Sequence, residues 1–149
     1  MSSGTQKSYA RRRARTKAVQ ALYQWDLSGA NIPDILEQFD LYQDMAKVDM
    51  DHFQQLVHGV PANIDTIDKA ISQHISRKLD DLDPIERNIL RLCSFELSEC
   101  IEVPYKVIIN EAVELTKLFG AEQGHKFVNG VIDKIAKQLR PLETGQKTD

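Results

Sequence analysis

Apolar residues recur at three- and four-residue steps along most of the chain, which is typical of α-helices that bury one face, and no segment keeps the alternating pattern of a β-strand. The first helix is predicted from about Ala10 to Ser28, with Gly29 as its end. A short helix is predicted from Pro33 to about Leu41. The next apolar repeat, 48–79, keeps its register through Pro61, which favours one long helix kinked at the proline over two separate helices.

The second half of the chain contains three further helix signals. Asp83 can cap a helix, Pro84 fits the first helical position and Glu86 follows the cap by three residues, so a helix is predicted to begin there. Two more helices are predicted, over residues 104–120 and from near residue 122 to 140, each bounded by proline or glycine.

These elements predict an all-α fold, with six or seven helices in two small packed helical bundles. The bundles are expected at roughly residues 10–79 and 83–141 of one helical domain, because Pro, Gly and Ser do not cluster into a long linker. Residues 1–9 and 142–149 are expected to be disordered tails.

The composition fits an ordinary soluble protein. The 149 residues suffice for a hydrophobic core, and 42% are hydrophobic and 28% charged. No apolar run approaches the roughly 20 residues that span a bilayer. The first nine residues are polar, and no apolar segment of a secretory signal follows the basic stretch, so a cytoplasmic protein is expected.

The sequence offers no recognisable catalytic or metal-binding motif. Cys93 and Cys100 are seven residues apart on one predicted helix, about 10 Å, which is too far for a disulfide, and both thiols are expected to be at least partly buried. The cysteines and the four histidines match no zinc-ligand spacing, and the acidic run 80–83 lacks the glycine and distal glutamate of a calcium loop. We therefore expect no metal, no cofactor and no enzymatic activity.

The charge is divided unevenly along the chain. The net charge is −3, but residues 1–17 carry six Lys or Arg and no Asp or Glu. The remaining residues carry 13 Lys or Arg against 22 Asp or Glu, a net charge of −9. This asymmetry indicates a basic arm for an anionic partner, attached to an acidic body.

The first helix places candidate RNA-binding side chains on one face. At 100° per residue its apolar stripe is formed by Ala14, Ala18, Ala21, Leu22 and Trp25. The opposite face holds Arg12, Arg13, Thr16, Gln20 and Tyr23. Guanidinium groups neutralise phosphates, an amide bonds base edges and an aromatic ring stacks on bases, so this face is suited to single-stranded RNA.

Arg11 and Arg15 project over the apolar face of the same helix. The first turn is therefore expected to extend past the core, which would leave both side chains free as a basic arm. Two alternatives remain open: a solvated basic helix start, and a protein-interaction module that uses the basic arm to bind an acidic partner.

A second candidate segment joins the last two predicted helices. Its three glycines allow a tight turn, and the new helix start directs backbone N–H groups outward, where they could bind a phosphate beside Lys126. Phe127 lies at the edge of the apolar stripe, where a base could reach its ring, although a phenylalanine at this spacing is also typical of a core.

Several segments together resemble the NusB family of bacterial transcription antitermination factors, and the resemblance covers nearly the whole chain. They are RRRAR (11–15), AVQALY (18–23) with Trp25, VPYKV (103–107), INEA (109–112), FGAE (119–122) and HKFVNGV (125–131). The resemblance implies two small helical bundles and binding to boxA RNA together with the ribosomal protein NusE. It further implies a role with RNA polymerase in read-through of terminators in rRNA operons.

The resemblance also implies which residues bind these partners. Carried onto matching positions, the RNA-binding residues are Arg11, Arg12, Arg13, Arg15, Gln20, Tyr23, Gln123, Lys126 and Phe127. Glu86 is carried over as a residue of the protein-partner surface. Some members of the family are thought to pair with themselves, so a monomer and a homodimer both remain open for the free protein. Helical domains of this kind also occur fused to RNA methyltransferases, but this chain has neither the length nor a cofactor motif for such a domain, which favours the stand-alone factor.

Overall fold

The computed structural model describes residues 3–120 and 124–145. Within these residues it contains seven α-helices, one short 3-10 helix and no β-strand, which confirms the all-α prediction. The elements are α1 (Ser3–Ser28), α2 (Ile32–Tyr42), α3 (Met50–Ala62), α4 (Ile64–Ser72), the 3-10 helix (Leu79–Asp81), α5 (Pro84–Glu99), α6 (Tyr105–Leu118) and α7 (Gly124–Leu139). None of the helices in the described ranges combines the length and the apolarity that crossing a membrane requires.

The chain divides into two compact units between Ala62 and Asn63. The division differs from the predicted one, which lay between residues 79 and 83. The single kinked helix predicted through Pro61 is wrong, because α3 ends at Ala62 and α4 begins at Ile64 as a separate helix. Proline removes a helical hydrogen bond and crowds the preceding turn, and here the helix ends one residue beyond it. The apolar register continues across this break, so register alone could not reveal it.

The first unit packs α1 against α2 and α3. Small side chains on α1, including Ala14, Ala18 and Ala21, are fully buried and allow close approach of the other helices. Across the core the rings of Phe39 and Phe53 lie with centroids 5.8 Å apart. Trp25, the only tryptophan of the chain, lies half-buried on α1.

Helix α1 begins earlier than the sequence predicts. Residues 3–9, expected to belong to a disordered tail, have helical backbone continuous with the rest of α1. The backbone N–H of Asp49 donates to the carbonyl of Ala10 at 3.1 Å, which ties the segment before α3 to this part of α1. Residues 1–2 and 146–149 lie outside the described residues.

The second unit is built around α5, which packs against α4, α6 and α7. Every residue from Arg87 to Leu97 is buried. The predicted cap is confirmed, since the Asp83 carboxylate accepts the backbone N–H groups of Ile85 at 2.9 Å and Glu86 at 3.2 Å. As expected, both cysteine thiols are buried and unbridged.

Arg140, which follows α7, closes the other end of α5. Its guanidinium is buried and donates to the backbone carbonyls of Leu97 at 3.0 Å, Glu96 at 3.1 Å and Cys100 at 2.9 Å, and also to that of Val103. These carbonyls belong to the last turn of α5 and the segment after it, where a helix leaves hydrogen-bonding capacity that backbone N–H groups do not fill. Arg140 therefore serves as a side-chain cap for α5.

Candidate nucleic-acid interface

The outward face of α1 has the composition that the helical period predicts. Arg12, Arg13 and Gln20 are exposed, and the Tyr23 side chain is 38% exposed. The face is therefore presented to solvent, with two guanidinium groups, an amide and an aromatic ring along one side of a rigid helix.

Arg11 and Arg15 do not extend past the core as a free basic arm, and this expectation is wrong. Arg15 is only 3% exposed. Arg11 Nε lies 3.5 Å from Asp49 Oδ2, and the arginine side chain is 24% exposed. For Arg11 the reason is that the segment before α3 lies over α1 at this point, so the guanidinium lies beside Asp49 of its own unit.

Asp49 is held in place independently of Arg11. Its Oδ1 accepts the backbone N–H of His52 at 3.0 Å, and its carbonyl accepts that of Phe53 at 2.9 Å, so it caps the start of α3. A carboxylate fixed in this way offers Arg11 an internal counter-charge. Arg11 is thus less available to phosphates than the exposed Arg13.

Two grooves lie beside the same stretch of α1. One has a volume of about 380 Å³ and is lined by Gln6, Tyr9, Ala10, Arg13 and Lys47. The other has a volume of about 180 Å³ and is lined by Arg13, Thr16, Lys17, Asp44, Lys47 and Val48. Arg13 and Lys47 therefore border both grooves. The sequence did not single out Tyr9 or Lys47, because the helix was expected to start after Tyr9 and Lys47 lies in a connection.

In the second unit, the start of α7 carries the other candidates. Lys126 is exposed and Phe127 is half-buried, at the edge of a core stripe that includes Val128 and Val131, as predicted. The guanidinium of Arg77 lies over the Phe127 ring, 5.4 Å from its centroid, within the range of a cation–π contact. Arg77, in the connection after α4, was missed because no local pattern links it to a ring 50 residues away. Gln123 lies outside the described residues.

Glu86, the candidate for the protein-partner surface, lies half-buried in the first turn of α5. Its pKa is raised above the usual glutamate value, chiefly because burial disfavours the carboxylate and secondly because Asp83 repels it, while Arg77 acts in the opposite direction. Among the described residues no group of three or more His, Cys, Asp or Glu side chains is placed to hold a metal ion.

A family model described as the NusB family matches residues 12–137. The chain belongs to the NusB family of transcription antitermination proteins. The resemblance noted in the sequence is thereby confirmed, and the matched range covers parts of both units and all the site residues predicted from the sequence except Arg11.

Relatives with the name "transcription antitermination protein NusB" match over almost their whole length. The protein from Alcanivorax borkumensis is 49% identical over 138 residues, which are 93% of this chain and 92% of the relative. The protein from Sodalis glossinidius is 53% identical over 135 residues, covering 91% of this chain and 97% of the relative.

Solved structures of the family share the fold. NusB from T. maritima superimposes with a TM-score of 0.77 at 34% identity, covering 91% of this chain and 96% of that chain. A structure of antitermination factors NusB and NusE in complex with double-stranded RNA matches with a TM-score of 0.69 at 32% identity, covering 85% of this chain and 96% of the other.

Proposed function

We propose that this protein is a non-enzymatic antitermination factor that binds boxA-type single-stranded RNA together with ribosomal protein NusE and promotes read-through in rRNA operons. The observation that carries the proposal is the exposed face of α1, where Arg12, Arg13, Gln20 and Tyr23 face solvent in a family whose members are antitermination proteins. The related complex that contains NusB, NusE and RNA supports the choice of partners.

The α1 face provides the three kinds of contact that single-stranded RNA needs. Arg12 and Arg13 bind phosphates, the Gln20 amide bonds a base edge and the Tyr23 ring stacks on a base. Because these side chains project from a helix whose other face is packed in the core, they are held in a fixed order before RNA arrives, which lowers the entropic cost of binding.

The start of α7 provides a further set of contacts. Exposed Lys126 binds a phosphate, and the half-buried Phe127 ring offers one face to a base while Arg77 lies over its other face. Gln123 is retained as a neighbouring contact on the ground of the family resemblance alone.

Arg11 and Arg15 act differently in this proposal. Arg15 is buried and Arg11 lies beside Asp49, so both orient the first turns of the exposed face and add long-range positive potential, with less direct contact to phosphates. Glu86 belongs to the NusE-binding surface. The assembly acts with RNA polymerase, and the protein without RNA forms a homodimer.

The test is a titration of fluorescently labelled boxA RNA, a scrambled RNA of the same composition and a double-stranded form, each with and without purified NusE. We expect boxA RNA to bind at least tenfold more tightly than scrambled RNA, and more tightly again with NusE. If Arg12, Arg13 and Lys126 contact phosphates, log affinity falls against log salt with a slope of about −2.

Two outcomes would contradict the proposal. Equal affinity for boxA and scrambled RNA, with and without NusE, would remove sequence-selective RNA binding. Weaker NusE binding by an Arg12→Ala/Arg13→Ala variant that retains wild-type RNA affinity would instead identify the α1 face as a protein-binding surface. The double variant Lys69→Ala/Lys106→Ala is the control, since it removes two exposed positive charges from the second unit.

A further inference from the structure

The early start of α1 places Tyr9 in line with the face already described. Tyr9, Arg13, Thr16, Gln20 and Tyr23 follow one another at steps of four, three, four and three residues. Residues at these steps share one side of a helix. The exposed stripe is therefore bounded by two tyrosines, 14 residues or about 21 Å apart.

Tyr9 is exposed and borders a groove with positive walls. Tyr9 is 46% exposed and lines the 380 Å³ groove with Gln6, Ala10, Arg13 and Lys47. The Arg13 guanidinium and the Lys47 ammonium, both of opposite charge to a phosphate, line this groove, and none of its described lining residues is Asp or Glu. Its volume lies in the range of sites that hold small organic ligands.

The geometry points to an additional nucleotide subsite in this groove, in which a base stacks on Tyr9 and the adjoining phosphates bind Arg13 and Lys47. The inference rests on the proposed function, because it extends the RNA strand that the rest of α1 binds. Successive stacked nucleotides are about 3.4 Å apart, so the stripe from Tyr9 to Tyr23 is long enough for about six of them. The groove is thus occupied by nucleotides of the same RNA that flank the part bound near Gln20 and Tyr23.

The neighbouring groove indicates the direction that the strand takes. Asp44 lines this second groove, and its carboxylate is fixed by accepting the backbone N–H of Ala46 at 3.1 Å. A fixed carboxylate repels phosphates. The RNA strand is therefore expected to pass from Arg13 toward Tyr9, along the first groove, and to avoid the second groove, which Asp44 lines.

The experiment compares boxA RNA with boxA RNA lengthened by three adenosines at its 5′ end or at its 3′ end. In wild-type protein we expect one of the two extensions to raise affinity about tenfold, the effect expected from one stacked base. Tyr9→Ala should abolish this gain and leave the affinity for unextended boxA RNA within twofold of wild type. Lys47→Gln should reduce the gain and make the salt slope of the extended RNA less steep by about 0.7.

Tyr42→Ala is the matched control. Tyr42 is also an exposed tyrosine of the first unit, at 81%, but it lines neither groove, so this variant should keep the full gain. Melting curves of all variants establish that the fold is intact, which is expected because the rings that are removed face solvent.

The outcomes separate this subsite from the wider proposal. If wild-type protein binds boxA RNA but neither extension strengthens binding, or if Tyr9→Ala keeps the gain, the subsite is overturned while the proposed function stands. If boxA RNA binds no better than scrambled RNA, the proposed function fails and the subsite with it. If Tyr9→Ala weakens NusE binding and leaves every RNA affinity unchanged, the groove binds protein and the RNA assignment is overturned.

Discussion

Arginines in two regions of the molecule have opposite surroundings. Arg140 in the second unit is buried, and its guanidinium donates to four backbone carbonyls and to Glu143 Oε2 at 3.0 Å. Arg12 and Arg13 in the first unit are exposed on the outer face of α1. Burial therefore separates the structural arginine, which is enclosed among carbonyls of its own unit, from the arginines whose guanidinium groups a ligand can reach. Arg15, adjacent in sequence to the exposed pair but 3% exposed, belongs to the buried class.

The largest effect is expected from Arg140→Met. The change removes the buried donor that four carbonyls at the end of α5 share, so the free energy of unfolding should fall by about 3–5 kcal/mol. Urea denaturation measures this loss. The control is Lys137→Met, which removes an exposed cation one turn earlier on α7 and should change stability by less than about 0.5 kcal/mol. Similar stabilities for the two variants would refute the capping role.

The second largest effect is expected from the double variant Arg12→Ala/Arg13→Ala, which should lose RNA affinity and keep its stability. RNA affinity should fall by about 2–3 kcal/mol, because two charge-assisted contacts to phosphates are lost. The melting temperature should stay within a few degrees of wild type, since neither side chain is buried. A large stability loss with unchanged RNA affinity would place these arginines in the same class as Arg140.

Tyr23→Ala tests whether an exposed aromatic side chain behaves like the exposed arginines. We expect a loss of about 1–3 kcal/mol in RNA binding, the contribution of one base stacked on a ring. Stability should change by less than about 1 kcal/mol, because the ring is partly exposed. The measurement is RNA affinity alongside thermal melting, and unfolding of the variant at room temperature would show that the ring is a core residue.

Arg77 is intermediate between the buried and the ligand-accessible arginines. It is exposed, but its guanidinium contacts the aromatic ring of Phe127. Arg77→Gln should weaken RNA binding by about 0.5–1 kcal/mol through loss of the cation–π contact that orients Phe127. In a Phe127→Ala background the same change should have no further effect. A double-mutant cycle on RNA affinity measures the coupling, and additive losses would show that Arg77 contacts RNA independently of the ring.

The smallest effect is expected from Glu143→Gln. The pKa of Glu143 is lowered, first because its carboxylate accepts the backbone N–H of Tyr105 at 2.9 Å and then because of Arg140, with desolvation opposing both. Because the pKa is lower in the folded state, the ionised carboxylate adds to the free energy of unfolding at pH values above the unfolded-state pKa, which is near 4.3. This contribution is lost as the pH falls through the folded-state pKa.

Since Glu143 is exposed, this contribution should stay below about 1 kcal/mol at pH 7. Denaturation at pH 7 and pH 3 should therefore show a small deficit for Glu143→Gln at pH 7 that is reduced at pH 3. A deficit that is the same at both pH values would exclude a contribution from the ionised carboxylate.

Features encoded within a few neighbouring residues could be predicted from the sequence. The start of α5 followed from Asp83, Pro84 and Glu86, and the exposure of Arg12 and Tyr23 followed from helical periodicity. Both depend only on local backbone geometry, which the order of residue types specifies directly.

Features that depend on contacts between distant segments could not be predicted. The burial of Arg15 depends on what covers α1, and the contact between Arg77 and Phe127 joins residues 50 positions apart. The separation of α3 from α4 was missed for another reason: the non-helical backbone of Asn63 (φ −119°, ψ 23°) interrupts the helix without interrupting the apolar register of the sequence. The groove lined by Tyr9 and Lys47 could not be predicted for two reasons. The sequence placed the start of α1 after Tyr9, and Lys47 lies in a connection distant from it along the chain.

The position of Trp25 makes the two units spectroscopically distinguishable. It is the only tryptophan of the chain and lies on α1, so emission excited at the red edge of the absorption band reports on the first unit alone. Circular dichroism at 222 nm reports on helices of both. Overlaying the two signals during denaturation reveals whether the halves of the protein melt in one cooperative step or in sequence.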